Sequence, residues 1–120
     1  MSTLRVNTLQ DATGNNQPAM VGAAKAWVNF DGAGTVAIRE SFNVSSITDI
    51  GVGEYTVNFT NAMPDENYST VVSCSDLGSA SMVSANIGAG YSTTSVEIEI
   101  NRDTVSGYDD ISLICLAVFR

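Results

Sequence analysis

The stretch from residue 25 to residue 68, KAWVNFDGAGTVAIRESFNVSSITDIGVGEYTVNFTNAMPDENY, leaves little choice but β structure. Within it Tyr55, Val57 and Phe59 fall on one face of an extended strand and Thr56, Asn58 and Thr60 on the other, the period of two that marks a half-buried strand. Before that strand, Asp49-Ile50-Gly51-Val52-Gly53 supplies the glycines that a tight hairpin needs where φ turns positive. Ile50 and Val52 depart from the small or polar residues expected at a free hairpin tip. Exposed apolar side chains of this kind generally have something to pack against, so both are assigned as partner-contacting positions.

The same alternation and turn chemistry predict strands over residues 24–30, 35–40, 42–47, 55–60, 68–74, 82–87, 95–101 and 111–119. Turn signals at 31–34, 49–53, 63–67, 78, 88–90 and 106–107 separate them. Many short strands with no intervening helical pattern point to an all-β fold, a small antiparallel β-sandwich or partly closed barrel. Two units are expected: an extended N-terminal arm over residues 1–17 and a β-sandwich domain over 18–120, with Pro18 at the break. Leu4, Val6 and Leu9 are apolar in an arm too short to bury them, so the domain or a partner must cover them.

The last strand differs from the rest. Val96-Glu97-Ile98-Glu99-Ile100 alternates cleanly, whereas residues 111–119 are apolar on both faces. A doubly apolar strand in so small a domain predicts one face on its own core and the other on a second subunit. Ile114, Leu116 and Val118 are therefore assigned, with Leu4, Val6 and Leu9, to an assembly interface.

Charge and residue usage narrow the function classes. A net charge of −8 with only 5 Lys and Arg argues against nucleic acid and against anionic membranes, because phosphate recognition needs clustered cations. The absence of histidine removes the usual general base and the commonest zinc ligand, and no cofactor is expected. The apolar run 113–119 is far shorter than the ~20 residues needed to span a bilayer as a helix. No apolar h-region follows Met1, so retention in a cytoplasm is expected. Cys74 and Cys115 are then expected to be buried free thiols, a disulfide requiring that their strands be neighbours.

Candidate sites are few. Asp103, Asp109 and Asp110 invite a calcium reading but lack the spacing of a calcium loop and are expected to form a solvated turn. Asp65 and Glu66, adjacent in sequence, point apart, which disfavours a glycosidase pair. Asn43, Asn58 and Asn67 head formal glycosylation sequons that reflect polar decoration of strands. Trp27 is expected to pack under a loop or at a subunit seam, with sugar stacking as the functional rival. Tyr91 and Tyr108 lie in glycine-rich and polar segments and are assigned as partner-contacting loop residues.

Taken in order, AKAWVNF, a glycine turn, TVAIR, SFNVSSITD, a second glycine turn, YTVNFT and AMPDENY resemble a segment of tail-fibre and other structural proteins of bacteriophages, particularly phages of marine bacteria including cyanophages. The opening MSTLRVNTLQDATGNNQ is similar to the start of many such proteins. The resemblance covers roughly the first 70 residues. It implies a virion structural protein assembled in the host cytoplasm, a short tail-fibre or appendage subunit that forms a homotrimer and presents loops to host surface glycans. A capsid decoration or cement protein is the alternative, favoured by the short length; a glycan-degrading enzyme is disfavoured.

Overall fold

The computed structural model describes residues 2, 3, 5, 23–77, 83–102 and 107–120. The expected arm lies outside these residues apart from Ser2, Thr3 and Arg5, and with it Leu4, Val6 and Leu9. The described chain contains β1 (Ala24–Asp31), β2 (Ala37–Phe42), β3 (Val44–Gly51), β4 (Glu54–Phe59), β5 (Ser69–Ser75), β6 (Val83–Tyr91), β7 (Ser95–Arg102), β8 (Gly107–Tyr108) and β9 (Leu113–Phe119), and among the described residues there is no helix. Two antiparallel sheets pack as a sandwich. The first has the order β2-β1-β9-β5; the second has the order β3-β4-β7-β6, with the short β8 continuing beside β7.

Alternation decides which side chains meet between the sheets. Ala26, Val28 and Phe30 of β1 and Ile114, Leu116 and Val118 of β9 face Tyr55, Val57 and Phe59 of β4 and Val96, Ile98 and Ile100 of β7, all buried. Burying a side chain of this size contributes about 1.5–3 kcal/mol, so these four central strands dominate the stability of the domain. Phe30 and Tyr55 meet edge to face across the sandwich, with ring centroids 5.3 Å apart.

The assignment of Ile114, Leu116 and Val118 to an assembly interface is therefore corrected. All three point into the chain's own core, at 0%, 2% and 0% exposure. The reason lies in the pairing: Ile114 sits opposite Phe30, and Leu116 opposite Val28, so β9 takes the facing of its unambiguous neighbour. The second apolar face of β9 consists of Leu113, Cys115, Ala117 and Phe119, all half-buried.

The strands of Cys74 and Cys115 are neighbours, yet no disulfide forms. Cys74 pairs with Ile114 while Cys115 pairs with Ser73, so the two thiols lie on opposite faces of the first sheet. Burial also pushes the Cys74 thiol up, away from the reactive thiolate. Both cysteines are expected to react with a maleimide after denaturation without reductant. Failure of both to react would demonstrate a bridge.

The chain passes from β2 in the first sheet to β3 in the second through a single residue, Asn43, whose φ is 54°. The expected glycine turn at residues 88–90 is part of β6, whose register against β7 slips between Ile87 and Tyr91.

Candidate functional site

Three of the four expected partner-contacting residues gather at one end of the second sheet. Ile50 and Val52 form the β3–β4 tip, 52% and 58% exposed. Tyr108 of β8 lies opposite Asn101 at the same end of β7, and is exposed. Tyr91 does not join them. It pairs with Val96 at the other end, half-buried and stacked on Tyr68 with centroids 4.3 Å apart, and its hydroxyl donates to the Tyr68 carbonyl. Its neighbouring glycines suggested a loop; the residue belongs to a strand end and is occupied in fixing the chain before β5.

The tip is held by partly buried polar bonds that sequence spacing could not reveal. Gly53, at φ 67°, donates its N–H to Asp110 Oδ1 at 2.7 Å, and its carbonyl accepts from Ile100 N at 2.7 Å. The Tyr55 hydroxyl lies 2.7 Å from the same Asp110 oxygen and 3.0 Å from the Gly32 carbonyl. Burial first, and then the hydrogen bond and charge of Asp110, push the Tyr55 phenol far above its usual range, so it acts only as a donor. Arg102 binds Asp76 at 2.6 Å and also Asp109. Asp109 and Asp110, expected as a solvated turn, are thus structural anchors; Asp103 lies outside the described residues.

Beside the tip is an acidic cluster built from two strands. Glu54 of β4 pairs with Glu99 of β7, and Glu97 follows on the same face of β7. One carboxylate oxygen of each comes within 4.8 Å of the others, on half-buried side chains. Gly88 and Gly90 make room for this: a Cβ on them would stand 2.8 Å and 2.7 Å from the carboxylate oxygens of Glu97. The carboxylates, Glu99 foremost, push the Tyr108 phenol up. Three carboxylates offer the oxygen donors that suit a hard divalent cation, and their mutual repulsion is the cost of leaving them uncompensated. The sequence gives Glu97 and Glu99 as alternating strand residues, but only the β4–β7 register brings Glu54 to them.

Asp65 and Glu66 form no carboxylate pair. Asp65 accepts the Asn67 N–H at 2.9 Å and takes a two-pronged contact from Arg120, at 2.9 Å and 2.6 Å. The Arg120 guanidinium holds the Asp65 carboxyl down at about 2. Because the folded value is depressed, this clasp is complete above the ordinary carboxylate range and is lost as pH falls through about 2. Arg120→Ala is expected to raise the Asp65 midpoint toward the ordinary range in an NMR titration, the Asn67 N–H still holding it partly down, whereas an unchanged midpoint would rule out the clasp as the main cause. Asn58, one of the sequon residues, bonds Ser46 and Thr48 across the β3–β4 face. Trp27 lies on the open outer face of the first sheet opposite Phe42, under no described loop.

Comparison with known protein families, with curated proteins and with solved structures finds no match.

Proposed function

We propose that this chain is a structural protein of a bacteriophage virion, a short tail-fibre or appendage subunit that associates with itself and turns the Ile50, Val52 and Tyr108 end toward the host surface. The observation that carries the reading is the ordered run of motifs over residues 25–68 that resembles phage fibre segments. These motifs fall on β1 to β4 and the segment leading into β5, the frame on which the tip is mounted. A tip held by Gly53, Tyr55 and Asp110 presents exposed apolar groups on a rigid support, which suits contact by shape more than chemistry. Host surface glycans are the proposed targets. Attachment to the particle is assigned to the arm over residues 1–17, through Leu4, Val6 and Leu9.

Antibodies against the folded domain are expected to label the tails of intact particles. Labelling confined to heads would replace this reading with the capsid decoration protein, and absence from purified particles would overturn both. A chain lacking residues 1–17 is expected to keep its β-type circular dichroism and fail to enter particles. Normal incorporation would remove the anchoring role of the arm, and loss of the fold would make the arm part of the sandwich.

A further inference from the structure

An apolar row crosses the whole outer face of the first sheet. Phe42 of β2 pairs with Trp27 of β1, Trp27 with Ala117 of β9, and Ala117 with Val71 of β5, so all four side chains stand in register on the surface away from the core. Phe42 is 48%, Trp27 37% and Val71 61% exposed. Apolar side chains aligned across every strand of a sheet, large on three of the four, differ from the scattered exposed residues of an ordinary surface.

The charges around the row identify its occupant. The strands of this sheet carry Lys25 and Arg39 against Asp31 and Glu40, two of each sign, and β5 and β9 carry none. The strands of the second sheet carry Asp49, Glu54, Glu97 and Glu99 against Arg102, a net of −3. A copy of this acidic chain is repelled by the second sheet and not by the first. The neutral sheet is also arranged to complement itself. Lys25 precedes Trp27 by two residues on β1 and Glu40 precedes Phe42 by two on the antiparallel β2, so the two charges flank the row on opposite sides.

We propose that the outer face of the first sheet is a homotypic interface, on which a second copy of this chain packs turned end for end about a two-fold axis along the row. In this arrangement each residue of the row meets its own counterpart, and Lys25 of each copy comes over the Glu40 flank of the other. The contact has an apolar centre and a charged rim, the usual anatomy of a specific interface. This dimer takes the place of the homotrimer that the resemblance implies, and it does not depend on a place in the virion.

The test is the mass of the full chain by sedimentation across concentration, with emission from Trp27, the single tryptophan, reporting burial of the row. A concentration-dependent dimer with blue-shifted emission is expected. Trp27→Lys, which sets two lysines face to face on the axis, and Val71→Lys, which alters an exposed position and leaves the core intact, are each expected to weaken the dimer by at least about tenfold. Lys25→Glu alone is expected to weaken it, and Lys25→Glu with Glu40→Lys to restore it. A monomer at every concentration, a three-chain assembly, or a dimer indifferent to Val71→Lys would overturn the proposal. So would a monomer whose Trp27 emission shifts to the red only on removal of residues 1–17, since the arm would then be the occupant.

Discussion

Gly53→Ala is expected to lower the melting temperature by roughly 10–25 °C, a loss of about 3–5 kcal/mol from a domain whose total stability is on the order of 5–15 kcal/mol. A Cβ at this position would stand 2.6 Å from Asp109 N, 2.6 Å from the Ile100 carbonyl oxygen and 2.9 Å from the Asp109 carbonyl oxygen. Those are backbone atoms of a bonded pair, Asp109 N to Ile100 O at 3.0 Å, and they cannot retreat without opening the β7–β8 end. Gly34 provides the control. Its φ of 65° matches the 67° of Gly53, but nothing lies within 4 Å of its Cβ position, so Gly34→Ala loses only the left-handed preference of glycine, about 1 kcal/mol. Thermal melts of the two variants separate crowding from dihedral strain, and equal losses would show that crowding at Gly53 is not the cause.

Where apolar and polar residues alternate strictly, the strand and its facing were legible in advance. Tyr55, Val57 and Phe59 were expected on one face of β4 and are buried there, and the clean pattern of β7 buries Val96, Ile98 and Ile100. The facing of β9 was not legible because both of its sides are apolar; only pairing with β1 distinguishes Ile114, Leu116 and Val118 from Cys115 and Ala117. Glycine also carries two meanings that local sequence does not separate. Gly51 and Gly53 mark a turn, whereas Gly88 and Gly90 stay within β6 and leave space for the Glu97 side chain. At the candidate site, Ile50, Val52 and Tyr108 were identifiable as apolar groups in turn segments. Their convergence, and the support of Asp110 beneath them, arise from contacts more than 50 residues apart in sequence, such as Tyr55 with Asp110. No local pattern encodes such a contact.

The change of sheet at Asn43 is the clearest case of a structural role concealed by an ordinary polar residue. Its side-chain Nδ2 donates to the carbonyls of Lys25 at 3.0 Å and Asn61 at 3.1 Å, and its Oδ1 accepts the Asn61 N–H at 2.7 Å. Its own carbonyl accepts from Thr60 N at 3.1 Å. One amide thereby joins the start of β1, the β2–β3 corner and the chain leaving β4, while asparagine tolerates the left-handed φ of 54°. Asn43→Ala removes the three side-chain bonds and adds left-handed strain, for an expected loss of about 2–4 kcal/mol, each bond contributing about 1 kcal/mol. Asn43→Gly relieves the strain alone and is expected to recover about 1 kcal/mol of that loss. Asn43→Asp keeps the acceptor for Asn61 N but sets a carboxylate against two carbonyls, so it is expected to be at least as damaging as alanine at neutral pH and to improve as the carboxyl protonates. Chemical denaturation of the three variants at neutral and acidic pH checks the order. An aspartate variant as stable as the native chain at neutral pH would show that the corner rests on backbone conformation and not on the amide.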